Sequence, residues 1–484
     1  MYVLGVDFGG GASKATLMNK SGEVVKTASA EYPTDYGEGG RAEQDPYDWY
    51  AAAIKNIRAV LDGIDPSLVD CLCFDAATHT AVLLGEDGEP ICPSIYWTDT
   101  RSVSEKLWLE EHFGDEIFQK CKHRVDTIWT LPEIMFLKNK FPEVFARVKK
   151  VTFAKDFVRG RFTGDFVTDR IEAEGSMFFD FDKREWDSEL LSLAGLSVDM
   201  MPKVVSPLDF VGSVTREASL ASGLAEGTRV ICGATDTAME VLAAGAVCPG
   251  DATLKLATAG RICVVSECFY PDRNIINYSH LKDGLSYPGS ATKSCAASLR
   301  WFRDTFGGDY AEFDRMAEEI APGCDGLLFH PYLMGELTPY ADPSLRASFI
   351  GFGASHTKAH FARAVMEGVA MSLRDCKQYL EERGISLADR VFAIGGGAKS
   401  ALWRRIVADV LNITLVVTER NDSSLGSCMC AAVAVGYFDS FEDAVAHTQR
   451  ILSETTPIPE NTEFYGKLFE KYKKIGKFLS ELND

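Results

Sequence analysis

The chain has 484 residues. A single hydrophobic core rarely organises a chain of this length, so we expect at least two domains. Hydrophobic residues make up 46% and charged residues 25%, as in globular proteins generally, and the net charge at pH 7 is −20. This charge argues against a broad surface for nucleic acid or anionic membrane, and no apolar run approaches the roughly 18 residues of a membrane span. A phosphate ligand would need backbone N–H groups or local positive charge.

Thirteen cysteines are scattered along the chain, and four of them form C-x-C pairs, Cys71 with Cys73 and Cys428 with Cys430. Both pairs lie in apolar runs, which favours buried structural thiols over zinc ligands. The odd count, with no recognisable signal peptide, indicates a reducing compartment, so we expect a cytoplasmic protein.

The first predicted elements are two short apolar strands, residues 3–6 and 15–18, joined by a run of three glycines, Gly9, Gly10 and Gly11. Such a run lets the backbone approach a ligand closely and adopt positive φ. Its successive N–H groups can bind an anion. Asp7 ends the first strand, where a carboxylate could hold Mg²⁺. The alternative is a tight hairpin with an incidental aspartate.

A helix is predicted after Asp45 and Pro46, an N-cap and a first-turn residue, up to about Leu61. A buried strand over residues 69–74 and another over residues 91–97 follow it. Both run into polar segments, Asp75-Ala-Ala-Thr-His79 and Thr98-Asp-Thr-Arg101. Because open α/β sheets bind ligands at strand ends, these segments are candidate binding residues. A mostly helical region is expected from Ser102 to about Val148.

Two acidic segments follow in the first half of the chain. Glu172 and Glu174 could contact a sugar, but a solvated helix face is the favoured interpretation. Asp236 follows a short apolar strand, residues 230–233, and precedes a small-residue helix, residues 238–247. This position suits a base at the floor of a cleft, and a helix N-cap is the alternative.

The second half repeats the pattern of the first. A strand from Asp251 runs into the turn Ala257-Thr-Ala-Gly260 and a second strand leaves it. Later, a strand over residues 390–394 opens into Gly395-Gly-Gly-Ala-Lys-Ser400 and a helix through Leu411, which is a typical nucleotide-binding arrangement. Two hairpins of this kind suggest two similar lobes around a nucleotide cleft.

The motifs, taken in order, resemble those of the FGGY carbohydrate kinases, and among these most closely the xylulokinases. They are Asp7-Phe-Gly9, Trp97-x-Asp99-x-Arg101, Gly233-x-x-Asp236, Leu256-Ala-Thr258-Ala-Gly260, Tyr332-x-x-Gly335-Glu336-x-Thr338-Pro339, Arg363-Ala-x-x-Glu367-Gly368 and Gly395-Gly-Gly-Ala-Lys-Ser400-x-x-Trp403. The resemblance covers nearly the whole chain, and it is the ordered set rather than any single motif that carries it.

The resemblance implies an α/β fold with two actin-like lobes, of the RNase H-like, hexokinase/Hsp70 superfamily, around a nucleotide cleft. The N-terminal lobe would span residues 1–247 and the C-terminal, nucleotide-binding lobe residues 248–484. Asp236 would be the catalytic base and Asp7 the Mg²⁺ ligand. The sugar would contact Thr78, His79, Asp99, Arg101 and Asp236. ATP would contact Gly9, Gly10, Gly11, Lys14, Thr258, Gly260, Gly395, Gly396, Gly397 and Ser400.

Several residues depart from the family's pattern. Gly10 and Gly11 stand where the family usually has Thr-Ser, and Ala257 replaces a glycine. Ala77-Thr78-His79 replaces the Gln-Met-His of xylulokinases, Leu337 replaces an arginine, and Glu133 stands where a lysine is common. The changes at Ala77, Thr78 and Leu337 bear on which sugar is bound.

We therefore expect ATP-dependent phosphorylation of a sugar, D-xylulose to D-xylulose 5-phosphate, by a protein that binds neither nucleic acid nor membrane and that forms a homodimer. A kinase for another ketose, polyol or aldonate is the first alternative. From a different class, a sugar-responsive regulator or actin-like ATPase could use the same cleft. Binding of ATP without phosphorylation of any sugar would favour this last alternative.

Overall fold

The computed structural model of the chain describes residues 1–481. Its strands, in chain order, are β1 Tyr2–Phe8, β2 Ala12–Asn19, β3 Val24–Glu31, β4 Asp35–Tyr36, β5 Ala42–Gln44, β6 Val69–Ala76, β7 Ala81–Leu84, β8 Ser94–Ile95, β9 Lys150–Phe153, β10 Val167–Asp169, β11 Phe179–Asp180, β12 Glu185–Trp186, β13 Lys203–Val205, β14 Phe210–Ser213, β15 Arg229–Ile231, β16 Ala234–Thr235, β17 Ala252–Leu256, β18 Gly260–Val264, β19 Gly289–Thr292, β20 Leu328–His330, β21 Ser348–Ile350, β22 Arg390–Ile394, β23 Thr414–Thr418 and β24 Ile451–Thr455.

The α-helices are α1 Pro46–Leu61, α2 Val103–Cys121, α3 Thr130–Lys140, α4 Pro142–Phe145, α5 Ala154–Thr163, α6 Arg170–Gly175, α7 Ser188–Ala194, α8 Arg216–Ser222, α9 Asp236–Ala244, α10 Ala296–Phe306, α11 Tyr310–Glu318, α12 Lys358–Glu381, α13 Ala401–Leu411, α14 Ser423–Ala434, α15 Phe441–Thr448 and α16 Pro459–Glu481. Among residues 1–481, none of these helices combines the length and the apolar character that crossing a membrane requires.

The chain forms two compact units. Unit 1 contains residues 1–245, 278–284 and 420–449, and unit 2 contains residues 246–277, 285–419 and 450–484. The sequence predicted one division, at residues 247/248, with residues 482–484 of the second lobe lying outside the described residues. Two later segments return to unit 1: residues 420–449 contain α14, which packs on the first sheet, and residues 278–284 include Tyr278, which bonds to His79. The assignment of a sugar lobe and a nucleotide lobe stays a prediction.

Unit 1 is built on a seven-stranded sheet in the order β14-β15-β6-β1-β2-β3, with β16 also paired to β6. Strands β1, β15 and β16 run parallel to β6, whereas β2 and β3 continue from β1 as an antiparallel meander. Helix α1 covers one face, where Trp49 and Ile57 are buried against Leu4, Val6 and Phe74.

Helix α14 covers the other face of this sheet at very close range. A Cβ on Gly5 of β1 would lie 2.1 Å from the carbonyl oxygen of Ser424, and one on Gly426 would lie 2.2 Å from that of Met239. Gly5 therefore lets α14 touch the backbone of the sheet, and Gly426 lets α14 touch the backbone of α9. Cys71, Cys73, Cys428 and Cys430 are fully buried here, which confirms the prediction of buried thiols.

Unit 2 is built on a six-stranded sheet in the order β19-β18-β17-β22-β23-β24. Its β17, β18 and β19 form an antiparallel meander, and β22 and β23 run parallel to β17. Helix α12 lies in the core of this unit, where Gly368 allows close contact with the Phe329 carbonyl, 2.2 Å from an ideal Cβ. Each unit thus pairs a three-stranded meander with parallel strands, as the repeated hairpins predicted.

One predicted strand is largely wrong. Residues 91–97 contain only the two-residue β8, and the Tyr96 N–H then bonds to the Ala42 carbonyl before the chain turns at Asp99. The apolar residues Ile95 and Tyr96 are buried, but β8 only joins the small sheet β4-β5-β8 through β5 instead of forming a strand across residues 91–97. A short buried apolar run does not by itself distinguish these two cases.

Candidate active site

Three aspartates meet at one edge of the unit 1 sheet. Because β1 and β16 run parallel to β6, their carboxyl ends lie together, with Asp7 opposite Asp75 and Ala234 also opposite Asp75. Asp236 follows β16 directly and begins α9. This is the edge where open α/β sheets bind ligands. The sequence predicted Asp7 and Asp236 as individual site residues, but Asp75 only as part of a candidate binding segment.

Asp7 and Asp75 form a buried carboxyl pair. Their side chains share a hydrogen bond, and Ser427 Oγ donates to Asp75 Oδ2 at 2.5 Å. Burial raises the pKa of Asp7 to about 6. Burial and the charge of Asp7 raise the pKa of Asp75 well above its usual range. The two carboxyl groups therefore resist being ionised together, and a bound cation would reduce the repulsion between them.

Asp236 is partly exposed at the start of α9. Its Oδ1 accepts a hydrogen bond from the Thr237 backbone N–H at 2.6 Å. The N-cap position is Thr235, not Asp236, so the capping alternative does not describe this residue. The charge of Asp236 contributes to the raised pKa of Asp75, which places the two carboxylates within electrostatic reach of each other.

The glycine loop between β1 and β2 is held by its carbonyl groups. Tyr32 Oη donates to the Gly9 carbonyl at 2.5 Å, Thr34 Oγ1 to that of Gly10 at 2.9 Å, and the Tyr32 N–H to that of Gly11 at 3.0 Å. In a trans peptide the carbonyl and the following N–H point in opposite directions. The Gly10 and Gly11 N–H groups therefore face away from these partners, as an anion site requires.

The expectation of positive φ in this loop is wrong, because Gly9, Gly10 and Gly11 are absent from the residues with positive φ in the described part of the chain. Glycine is needed for space instead. A Cβ on Gly10 would lie 2.9 Å from Tyr96 Oη. Lys14, opposite Asp7 on β2, forms an ion pair of 2.9 Å with Asp422, so its charge is partly neutralised within unit 1.

His79 lies in a cage of aromatic rings and is buried. Tyr278 Oη bonds to His79 Nε2 at 2.7 Å, and the Trp129 ring packs edge-on at 4.6 Å between ring centres. His79 has a φ of 71°, and a Cβ on Gly175 would collide with its ring at 2.2 Å. Thr78 lies beside it, partly exposed. The sequence could not predict the contact with Tyr278, which is distant in the chain.

Glu172 and Glu174 are buried in α6, so the prediction of a solvated helix face is wrong. Glu172 Oε1 accepts from the His79 backbone N–H at 2.7 Å. Glu174 accepts from the Ser279 N–H at 2.9 Å and from Ser279 Oγ at 2.6 Å. Burial raises the pKa of Glu174 to about 7. These two carboxyls position the segments that carry His79 and Tyr278.

Asp99 and Arg101 form a largely buried ion pair, not a surface pair. Asp99 Oδ2 lies 2.8 Å from Arg101 Nη2 and also accepts from the Ala42 N–H at 2.8 Å. Arg101 Nη2 lies 2.6 Å from Glu43 Oε1 as well. The pair thereby ties the loop after β8 to β5, and it holds the guanidinium in a fixed orientation.

In unit 2, the two turns predicted to bind nucleotide lie next to each other. Strands β17 and β22 are parallel neighbours, so the turn at Thr258 and the glycine run after β22 leave the same sheet edge. A Cβ on Gly395, which has a φ of 88°, would lie 2.7 Å from the Leu256 carbonyl oxygen. Thr258 is exposed on its turn, whereas Gly260 is buried against Thr292 and Cys295.

The remaining residues that were predicted to bind nucleotide differ in how closely other atoms surround them. Gly396 has no atom within 4 Å of an ideal Cβ, while Gly397 packs on Leu256 and Trp403. Ser400 is the N-cap of α13: its hydroxyl accepts from the Trp403 N–H at 3.0 Å and donates to Asp314 at 2.8 Å. A structural role therefore accounts for Ser400.

The carboxyl pair fits a divalent cation. Asp7 Oδ1 and Asp75 Oδ1 are buried and have no hydrogen-bond partner among the described residues. Carboxylate oxygens are the protein ligands that Mg²⁺ prefers. Asp75 is the residue that sequence reasoning missed, although the signal was present. Like Asp7, it is an aspartate that ends a buried strand and precedes small residues.

Comparison with known proteins finds similarity along the whole chain. It matches the FGGY family of carbohydrate kinases, N-terminal domain, over residues 2–243 and C-terminal domain over residues 278–435. Xylulose kinase of Bacillus subtilis (strain 168) is 32% identical over 100% of this chain and 98% of the relative, and gluconokinase of that strain is 28% identical over 99% and 96%. The crystal structure of xylulose kinase from Rhodospirillum rubrum superposes with a TM-score of 0.93, at 28% identity, over 100% of this chain and 99% of that one.

These matches cover both units at full length, and the resemblance noted from the motifs is confirmed. The two-domain α/β fold of the actin-like type is confirmed as well. The chain therefore belongs to the FGGY family of carbohydrate kinases, and it is a sugar kinase.

Proposed function

We propose that this sugar kinase transfers the γ-phosphate of ATP to a ketose hydroxyl, with D-xylulose as the first candidate and D-xylulose 5-phosphate as its product. The names of full-length relatives support this choice. A relative of similar coverage is a gluconokinase, so another ketose, a polyol or an aldonate is the alternative.

The observation that carries the proposal is the meeting of Asp7, Asp75 and Asp236 at one sheet edge beside the glycine loop. Phosphoryl transfer needs phosphate donors, a cation and a group that orients the accepting hydroxyl. The N–H groups of the loop supply the donors. Asp7, helped by Asp75, would hold the Mg²⁺, which neutralises phosphate charge when bound.

Asp236 is the residue we assign as the base. It is partly exposed, where a hydroxyl can reach it, and the hydrogen bond from the Thr237 N–H fixes its carboxylate. In a loose transition state the hydroxyl proton leaves late, so the main task of Asp236 is to orient the attacking oxygen. A strongly raised basicity is not required for that task.

The sugar would bind at Thr78, His79, Asp99 and Arg101. His79 is held from three sides by Tyr278, Trp129 and Glu172, so its ring offers a fixed wall. Arg101 is fixed by Asp99 and Glu43. Fixed polar groups of this kind position a substrate without paying ordering entropy on binding.

In unit 2, the adenine nucleotide would contact Thr258 and the open Gly396, with Gly395 and Gly397 allowing the two turns to pack. Backbone N–H groups after β22 suit a phosphate or ribose. Cytoplasmic location and a homodimer stay predictions; the odd number of cysteines, thirteen, supports a reducing compartment.

The test is ADP release across ketoses, polyols and aldonates, D-xylulose included, for wild type, Asp236→Asn and the control Asp182→Asn. Asp182 is an exposed aspartate in another turn of unit 1. We expect sugar-dependent release that falls by about 10³-fold or more in Asp236→Asn, with ATP binding retained, and that is unchanged in the control. Near-wild-type turnover of Asp236→Asn would refute its assignment, and no response to any sugar would refute the proposed function.

A further inference from the structure

Glu133 is a buried carboxyl group with nothing to bond to. It lies in the first turn of α3, its residue is 2% exposed, and neither of its carboxyl oxygens has a hydrogen-bond partner within residues 1–481. Burying an unpaired carboxyl is costly in any charge state. Unexplained groups of this kind in folded proteins often serve a ligand.

The first turn of α3 lies between the two groups of residues that we assign to the sugar. On one side, Thr130 Oγ1 donates to the His79 carbonyl at 2.9 Å. On the other side, the Arg101 guanidinium lies 5.0 Å from the centre of the Phe136 ring. Thr130, Glu133 and Phe136 are spaced by three residues, so they share one helix face. Glu133 is therefore placed between His79 and Arg101.

The charges around Glu133 confirm this position. Burial raises the pKa of Glu133 well above its usual range; the charge of Asp99 adds to the rise and that of Arg101 opposes it. Arg101 already pairs with Asp99 at 2.8 Å and Glu43 at 2.6 Å. Arg101 is thus already paired with two carboxylates, Asp99 and Glu43, in the neighbourhood of Glu133.

We propose, on the basis of the proposed function, that Glu133 is a specificity residue of the acceptor site. It hydrogen-bonds a sugar hydroxyl and selects neutral ketoses and polyols against aldonates. A hydroxyl can both donate to and accept from a carboxyl group, so it satisfies the buried oxygens. The carboxylate of an aldonate would enter a poorly solvated site whose guanidinium, Arg101, is already paired with Asp99 and Glu43.

Three variants separate the parts of this proposal. Glu133→Leu removes the hydrogen-bonding group and keeps the volume, Glu133→Gln keeps a hydrogen-bonding group without an acid, and Glu133→Lys adds a positive charge. Exposed Glu143, on α4, supplies the control Glu143→Lys with the same change in net charge. Steady-state kinetics would be measured with D-xylulose, xylitol and D-gluconate, alongside thermal unfolding of each variant.

We expect wild type to prefer the better neutral acceptor over D-gluconate by at least about 100-fold in kcat/KM. Glu133→Leu should raise the KM for that acceptor about 10-fold with a smaller change in kcat. It should not lower the melting temperature, because the buried group lacks partners. Glu133→Gln should keep a KM for the neutral acceptor close to that of wild type, Glu133→Lys should raise kcat/KM for D-gluconate, and the control should match wild type.

Several results would overturn the inference while leaving the proposed function intact. These are a wild-type preference for D-gluconate, unchanged selectivity in Glu133→Lys, or a lower melting temperature with unchanged KM in Glu133→Leu, which would indicate a structural role. If Glu133→Lys does not fold, Glu133→Gln and Glu133→Leu decide the matter. Failure of wild type to respond to any sugar would instead refute the proposed function.

Discussion

Two carboxyl groups at the ends of neighbouring parallel strands dominate the electrostatics of unit 1. Asp7 and Asp75 are in register, share a hydrogen bond and are both held back from ionising by burial. Ser427 bonds to one oxygen of Asp75, and one oxygen of each carboxyl is left without a partner among the described residues. A fold keeps such a pair at a cost unless a cation binds there.

The first prediction at this scale is that Asp75→Asn weakens Mg²⁺ binding. The substitution preserves size but removes one of the two hard ligands, so we expect the Mg²⁺ concentration for half-saturation to rise about 10-fold. Without nucleotide or sugar, Mg²⁺ should raise the melting temperature of wild type and much less that of the variant. Asp70→Asn, at the opposite end of β6, is the control.

An equal Mg²⁺-induced shift in Asp75→Asn and wild type would contradict this role. The variant should also be at least as stable as wild type without Mg²⁺, because it no longer forces two carboxyl groups together. Lower stability without Mg²⁺ would show that Asp75 is mainly a structural partner of Ser427.

At the level of elements, the glycine loop depends on packing against one tyrosine. Glycine at position 10 is required by Tyr96, whose hydroxyl oxygen lies 2.9 Å from an ideal Cβ, and not by backbone conformation. The next atom of that ring, Cζ, is 3.6 Å away, which is an ordinary contact. Removing the hydroxyl should therefore make room for a methyl group.

We predict that Gly10→Ala lowers the free energy of unfolding by about 1–3 kcal/mol and raises the KM for ATP, because the loop shifts from its supporting side chains. Tyr96→Phe combined with Gly10→Ala should restore most of both properties, which a double-mutant cycle measures as a coupling energy. Gly353→Ala is the control, since it meets no atom within 4 Å. Additive effects in the cycle would refute the steric explanation.

The elements that the sequence predicted well are those whose pattern is local. The hairpin at residues 2–19, the helices α1 and α13, and the strand β22 all form where apolar runs meet glycine turns or caps. The predicted strand at 91–97 failed because its length and its pairing depend on a distant partner, β5, rather than on its own composition. The return of α14 to unit 1 was not predicted, because it depends on packing against a sheet that is distant in the chain.

The site shows the same division between local and distant causes. Asp7 and Asp236 were found because each ends a strand, a feature that the sequence displays. The burial of Glu172 and the bond from Tyr278 to His79 were not found, because residues 93 and 199 positions apart create them. Charge alone suggested a solvated surface for α6, and tertiary packing overrode it.

At the scale of the whole molecule, buried acids give stability a pH dependence beyond that of the net charge of −20. In unit 1 burial raises the pKa of Glu174 to about 7, and in unit 2 it raises the pKa of Asp375 to about 6. His330, also buried, acts in the opposite sense, since burial lowers its pKa to about 4. The pH profile of stability therefore sums contributions of both signs, and only a comparison of variants isolates the contribution of one group.

The last prediction isolates Glu174. Its pKa rises from 4.5 in the unfolded chain to about 7 in the fold, so the folded state binds more protons between these values. Stability must then fall as pH rises through that interval, by roughly 3 kcal/mol for this group. Glu174→Gln keeps a hydrogen-bonding partner for Ser279 and does not titrate. We therefore expect its stability relative to wild type to increase by about that amount from pH 4.5 to pH 7.5. Melting temperatures across this range measure the difference, and the contributions of Asp375 and His330 cancel because both proteins share them. Glu143→Gln, at an exposed position, should follow wild type at every pH. A difference in stability between Glu174→Gln and wild type that does not change with pH would mean that the carboxyl is ionised in the fold, with Ser279 and Arg170 compensating its burial.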